Sequence, residues 1–333
     1  MINKIDISSL FREKSDLRDK VDKMLFSSAC NLGFLKIYGI PNKILKKSYL
    51  KDLLAIFNIS EKDKRKLYRW NFENSNSNVY RGWFPLQNGL PTYKEGIDIG
   101  PDLIRDVKHD LNDPLTEPSP LPSNGILPGW RNKAKLYYKT MQLTGMVLMR
   151  SFARSFKLKE SYFDQFFVNG ISTLRFLHYP IRGEESYLNR KKEFIIDGGY
   201  SLAKPHIDTG FITLLSQFGV EGLEAQSKNG RWIKILPEEE VLIVNFGLLL
   251  QKWTGQKIVA TLHRVIGSGK ERFSIPFFLE PSVDCLIKPL EKNKNCDFDP
   301  LLYGDFLWEV TTEFIEQKGI KHLRKPKSGN YEI

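Results

Sequence analysis

The chain is poor in sulfur and has no long apolar run. Its three cysteines, Cys30, Cys285 and Cys296, are odd in number and show no metal-ligand spacing. That argues against a disulfide framework and a cysteine-based zinc module, and reads as reduced thiols in the cytosol. No stretch approaches the roughly 18 apolar residues of a membrane span. The N-terminus, Met1-Ile-Asn-Lys-Ile-Asp-Ile7, has no apolar core of the kind a signal peptide carries. The expectation is a cytoplasmic protein without a membrane partner. No internal repeat and no linker divides the chain. Histidine is also scarce, at five residues.

Charge is not scarce. Fifty Lys and Arg against 39 Asp and Glu give a net charge of +11. Nucleic acid is one partner such a balance suits. The basic residues are however dispersed among acids, as in Phe11-Arg-Glu-Lys-Ser-Asp-Leu-Arg-Asp-Lys20, so a Lys-rich surface without nucleic acid is expected. The densest basic stretch, Lys318 to Lys327, reads as a solvated tail. With 41% hydrophobic residues, the 333-residue chain is long enough to bury most of its apolar surface.

Periodicity predicts helices over 15–32 (Leu17, Val21, Met24, Leu25), 42–57 (Tyr49, Leu53, Phe57) and 128–158, with a helix start at Ser60-Glu-Lys-Asp63. The longest carries Tyr137, Met141, Leu148, Phe152 and Phe156 on one face, a stripe that reads as core packing against a sheet. Residues 70–126 are rich in Asn, Pro, Gly and Ser and read as long loops. A strand at 34–38 precedes them. Short strands are expected at 172–179, 211–217, 231–235, 241–246, 261–266 and 272–279, then a helical pattern at 300–317. Many short strands with Gly-rich turns predict a sandwich or jelly roll with helices packed on it.

Chemistry is concentrated in His206-Ile-Asp208 and in His263, the latter followed by Arg272-Phe-Ser274. His206 and Asp208 are two apart, so on a strand both side chains share a face. Two imidazoles and one carboxylate on one side of a metal, with the other side open, form the facial triad of non-heme Fe(II) oxygenases. Arg272 and Ser274 again share a face and offer a fork of donors plus a hydroxyl to a carboxylate. His109 and His322 read as surface or core histidines.

The surrounding residues carry a resemblance. His206-Ile-Asp-Thr-Gly-Phe-Ile-Thr-Leu-Leu215 is followed by Gly222-Leu-Glu-Ala, Gly230-Arg-Trp-Ile233, Val244-Asn-Phe-Gly247, Trp253-Thr-Gly255, Leu262-His-Arg-Val265 and Arg272-Phe-Ser-Ile-Pro-Phe-Phe278. Upstream stand Gly33-Phe-Leu-Lys-Ile-Tyr-Gly-Ile40, Arg81-Gly-Trp-Phe-Pro85 and Lys94-Glu-Gly-Ile-Asp-Ile-Gly100. In this order they resemble the isopenicillin N synthase-like family of Fe(II)/2-oxoglutarate-dependent oxygenases, over about residues 5–318. The resemblance implies a double-stranded β-helix in one domain spanning 1–333. Its parts would be an N-terminal helix and loop region at 5–125, a backing helix at 126–160, the jelly-roll core at 170–285 and a C-terminal helix at 300–318. It further implies His206, Asp208 and His263 as iron ligands, Arg272 and Ser274 as the seat of 2-oxoglutarate, and Tyr179 beside the same carboxylate. Alternation then puts Arg175 and Leu177 on the inner face as candidate substrate contacts, and His178 on the other. The plant enzymes of the family often have Asn where Leu177 stands.

The implied activity is Fe(II)-, O2- and 2-oxoglutarate-dependent oxidation of an unactivated C–H bond in a small molecule, by a monomer. Three other readings stay open. An oxidase of the isopenicillin N synthase kind would use Arg272 and Ser274 for its substrate's own carboxylate. A nucleic-acid demethylase would suit the charge but shows neither the usual Arg pattern nor stacking loops. A barrel that binds a metal or ligand without turnover is the third. Ile181 to Lys204, with five basic and four acidic residues and Gly198-Gly199, could be a lid at the barrel mouth or a passive loop.

Overall fold

The computed structural model describes residues 2–87, 93–182, 195–196, 199–290 and 298–329. Fifteen strands occur among them. In chain order they are β1 (Lys4–Asp6), β2 (Phe34–Tyr38), β3 (Gly82–Phe84), β4 (Glu95–Ile99), β5 (Thr173–Tyr179), β6 (Ile195–Ile196), β7 (Gly199–His206) and β8 (Ile212–Gln217). Then follow β9 (Leu223–Gln226), β10 (Trp232–Lys234), β11 (Leu242–Phe246), β12 (His263–Gly267), β13 (Arg272–Leu279), β14 (Leu286–Ile287) and β15 (Leu301–Leu302). An eight-stranded sheet runs β1-β2-β11-β8-β13-β5-β4-β3, and a five-stranded sheet runs β10-β9-β12-β7-β6. The strand-rich half is a jelly roll with helices packed against the large sheet.

Two cores follow from the period-2 alternation of the large sheet. Leu174 and Phe176 of β5, Leu214 of β8, Val244 of β11 and Ile275 and Phe277 of β13 point outward into the core shared with the helices. Leu177 and Tyr179 of β5, Ile243 of β11 and Phe34 of β2 point inward and meet Leu202, Leu223, Ala225 and Val265 of the small sheet. The space between the sheets is therefore walled by alternate residues of each strand, and the functional side chains lie in that set.

Helix α1 (Asp16–Asn31) is capped by Ser15, whose hydroxyl accepts the Arg18 amide. Its buried face differs from the expected stripe. Val21 and Leu25 are buried, but Leu17 and Met24 are exposed. The face is centred on Arg18, Asp22, Leu25 and Ala29, because Asp22 takes two hydrogen bonds from Arg154 at 2.7 Å. A buried ion pair rotated the helix away from its apolar reading. Helix α2 (Lys47–Leu54) is shorter than 42–57, with 3-10 turns on both sides and Asn42 at φ 67°. Helix α3 (Glu61–Arg65) starts at Ser60 as expected. Helix α4 (Trp130–Ser155) backs the large sheet; Tyr137 donates to Ser216 of β8 and Tyr138 to the Ser172 carbonyl.

Two further expectations are corrected. Residues 70–126 hold β3 and β4 within their loops. All five β4 residues, Glu95 to Ile99, are buried, with Asp98 neutralised by Arg69 and Arg175. Charges inside a strand hid its pattern. The basic stretch 318–327 is docked rather than free. Buried Arg324 pairs with Asp113 at 2.8 Å and Asp305 at 2.7 Å, and Ile320 is buried. Of the candidate lid, 183–194 and 197–198 lie outside the described residues, and Gly199 to Lys204 belong to β7. Cys296 also lies outside them; Cys30 and Cys285 are free thiols.

Candidate metal centre and cosubstrate pocket

His206 is the last residue of β7, and His263, the first of β12, is its cross-strand partner. Antiparallel pairing brings residues 57 apart in sequence side by side, with ring centroids 4.2 Å apart. Asp208 does not share the strand, as the two-residue spacing had suggested. The strand stops at His206 and a short loop carries Asp208. That loop is fixed from the opposite sheet. Amides at the start of the helix Leu248–Trp253 hold it: Leu248 donates to the Asp208 carbonyl at 2.8 Å and Leu249 to that of Thr209 at 3.1 Å. Gly247 permits the approach, since a Cβ there would lie 2.3 Å from the Gly210 oxygen.

The donor atoms converge. The Nε2 atoms of His206 and His263 each lie 3.7 Å from Asp208 Oδ1, and one ligand atom from each residue falls within 4.8 Å of the others. The remaining atoms are engaged elsewhere. His206 Nδ1 is 2.7 Å from the Lys204 carbonyl and His263 Nδ1 is 3.0 Å from that of Thr261. A carbonyl only accepts, so each Nδ1 carries the proton and each Nε2 keeps its lone pair. Asp208 Oδ2 accepts from Thr213 at 2.5 Å and Asn245 at 2.6 Å, leaving Oδ1 for a cation. Burial raises the Asp208 pKa, but His263, His206 and the two hydrogen bonds outweigh it and hold the group ionised below the usual range. Desolvation, then His263, pushes His206 below the usual imidazole value. Both shifts favour the protonation states that bind a metal.

Arg272 and Ser274 stand on the inner face of β13, opposite Tyr179 and Leu177 of β5. Arg272 is buried, its guanidinium 5.1 Å from the Tyr179 ring centroid and 3.3 Å from the Ser274 hydroxyl. Its Nε has no hydrogen-bond partner, and no carboxylate pairs with it among the described residues. Burial pulls its pKa down, opposed by Tyr179. One cavity joins this guanidinium to the triad, lined by Leu177, Leu215, Leu223 and Val265. A second cavity of about 870 Å³, counting its open mouth, begins at His206 and Asp208 and runs under Leu307, Thr311, Phe314 and Gln317.

The family model described as the 2OG-Fe(II) oxygenase superfamily matches residues 184–281. The 2-oxoglutarate-Fe(II) type oxidoreductase hxnY of Emericella nidulans is 31% identical over 62% of this chain, which spans 57% of that protein. Isopenicillin N synthase of Streptomyces clavuligerus is 25% identical, covering 95% of this chain and 96% of its own. The chain is thus similar to the 2OG-Fe(II) oxygenase superfamily over the segment that carries the triad and Arg272. A full-length Neurospora crassa protein, crystallised in complex with alpha-KG and thymine, has the same fold. Its TM-score is 0.78 at 22% identity, over 94% of this chain and 97% of that one.

The three-residue donor set can hold a metal ion, as the matched superfamily's name would require of it. Of the residues expected to serve it, the fold brings His206, Asp208 and His263 together, and Arg272, Ser274 and Tyr179 together. Arg175 lines both cavities, but its guanidinium is held by Asp98 at 2.6 and 2.8 Å. Leu177 lines the inner cavity only. His178 faces away, stacked on Phe273 at 4.5 Å. Sequence reasoning assigned no role to Thr213 and Asn245. Strand alternation was the available signal, since it places polar side chains among inward positions of β8 and β11. Lys94 and Gln317 were missed because each comes from a segment read as loop or helix end.

Proposed function

We propose that His206, Asp208 and His263 hold the Fe(II), and that Arg272, Ser274 and Tyr179 seat the distal carboxylate of 2-oxoglutarate. A small molecule then enters the outer cavity and is oxidised at an unactivated C–H bond, by hydroxylation, desaturation or cyclisation. The observation that carries this reading is the buried guanidinium of Arg272, which meets no carboxylate among the described residues, in the same cavity as the triad. An isolated buried cation is costly unless an anion joins it. A dianionic cosubstrate with one end on the metal answers that need.

When bound, iron and 2-oxoglutarate activate O2, and the cosubstrate leaves as succinate and CO2. The chain's own part is to position and to exclude water. Thr213 and Asn245 fix the Asp208 carboxylate, the Lys204 and Thr261 carbonyls fix the two imidazoles, and Leu177, Leu223 and Val265 give the inner cavity an apolar wall between its polar groups. Dispersed surface charge and free Cys30 and Cys285 support a monomeric single-domain enzyme of the cytoplasm that acts without nucleic acid. No helix among the described residues is long and apolar enough to cross a membrane.

The test is succinate formation by the Fe(II)-loaded protein with 2-oxoglutarate and air. Slow succinate release without added substrate, lost in Asp208→Ala, is expected. Oxygen uptake with no loss of 2-oxoglutarate would instead place the chain with oxidases of the isopenicillin N synthase type. Neither activity, with metal bound, would leave a binding barrel.

A further inference from the structure

The outer cavity shows what kind of molecule it accepts, provided the proposed metal and cosubstrate sites are right. Its ionisable wall is balanced. Lys94 meets Glu316 at 2.9 Å, and Arg175 is engaged by Asp98. Against its burial, Glu316 is held at about 2 by Lys94 and then Arg175, so its carboxyl is ionised. Glu280 accepts from Thr173 at 2.8 Å and Tyr303 at 2.9 Å. Both wall cations are therefore paired, which contrasts with Arg272 in the inner cavity. An anionic substrate would lose its hydration here and gain no free counter-ion among the described residues, an unfavourable exchange.

Gln317 is different. It is 3% exposed and lines the cavity, yet its side-chain amide makes no hydrogen bond among the described residues. Its backbone is fixed: its amide donates to the Phe314 carbonyl at 3.0 Å, and the adjoining Glu316 carbonyl accepts from Arg69 and Asn71. A fixed carboxamide presents donors and an acceptor side by side, which match a group with an N–H next to a C=O. Once a ligand displaces water from the cavity, a carboxamide on its wall is costly to leave without a partner, so it selects for its complement. The opposing walls, Phe211, Phe278 and Leu307, are apolar and suit the carbon frame.

We infer that the prime substrate is a small molecule without net negative charge, carrying an amide-type edge (carboxamide, lactam or imide) that pairs with Gln317. The Lys94–Glu316 pair acts as the selector against carboxylates, since with it no free cation lines the outer cavity among the described residues. Gln317 is thus a specificity-determining residue and the pair a positioning element behind it.

Matched probes test this on the full chain loaded with Mn(II) and 2-oxoglutarate. Nicotinamide and nicotinate, uracil and orotate, and 2-piperidone and pentanoate are titrated by calorimetry. A first titration with 2-oxoglutarate alone reports whether the cosubstrate site exists, separating failure of that reading from failure of this one. In at least one pair the amide should bind about ten-fold tighter than the acid. Gln317→Leu should remove that advantage and keep 2-oxoglutarate binding, which shows that the variant is folded. Glu316→Gln, which frees Lys94, should shift preference toward the acid by about ten-fold. Acids binding as tightly as amides, no amide binding beside a working 2-oxoglutarate titration, or a Gln317→Leu variant with unchanged preference would each overturn the inference.

Discussion

Thr213 and Asn245 face each other across β8 and β11, and both donate to the same oxygen of Asp208. The pair ties a loop residue of the metal site to the large sheet, while both histidines belong to the small one. The candidate iron site thus spans the two sheets, and its geometry depends on residues that would never touch the metal.

That relationship predicts a cost for Asn245→Ala. Asp208 Oδ2 would keep one donor, and the carboxylate could rotate. Loss of such a supporting partner typically weakens metal binding by about 10–100-fold. Competition titration with Mn(II) reads the effect directly, and an unchanged affinity would show that Thr213 suffices.

Arg272 sets stability against function. Its desolvated guanidinium has no acid partner among the described residues, so replacing it with Met should leave the ligand-free fold as stable or raise it. Buried charges exchanged for apolar side chains often gain about 1–4 kcal/mol. The same variant should lose the rise in melting temperature that 2-oxoglutarate gives the wild type. Thermal scans with and without the cosubstrate check both halves.

Arg324 should matter as much as a core residue. It sits between Asp113 and Asp305, and the three are nearly inaccessible to solvent. Arg324→Ala removes the buried cation the two carboxylates share and leaves Asp113 only the half-exposed Lys327 at 3.4 Å, a change that costs about 3–5 kcal/mol. Urea unfolding measures it. A loss below about 1 kcal/mol, the scale of an exposed pair, would mean that the docked segment detaches without consequence.

Glu280 gives a pH signature. Burial pushes its carboxyl up to about 7, partly offset by Arg81, Thr173 and Tyr303. The folded state then holds a proton that the unfolded state, titrating near the ordinary carboxylate value, has released. Its contribution is therefore most favourable below that ordinary value and is lost as pH rises to about 7. Glu280→Gln should flatten this part of the stability profile between about pH 5 and 7.5, as read by urea midpoints at several pH values. A profile parallel to wild type would contradict the burial argument.

The sequence made the strand-rich core and both ends of the site legible, because His206, Asp208, His263, Arg272 and Ser274 lie in short local patterns. It did not show that Asp208 leaves the strand, since that depends on amides of Leu248 and Leu249 from the far sheet. It hid β4, where Glu95 and Asp98 occupy buried positions made tolerable by Lys64 and His178 beside the one and Arg69 and Arg175 beside the other. It hid the docking of Arg324, whose partner Asp113 is 211 residues away. These misses share one cause: a buried charge reads as surface until its partner is known.

The central claim is that one ligand bridges the triad and Arg272. Calorimetric titration of 2-oxoglutarate into the protein, with and without Mn(II), in wild type, His263→Ala and Arg272→Ala, tests it most directly. Binding should require the metal, and each substitution should weaken it by at least about ten-fold, in line with loss of one partner of a buried charge contact. Binding of equal strength without metal, or undiminished in Arg272→Ala, would contradict it.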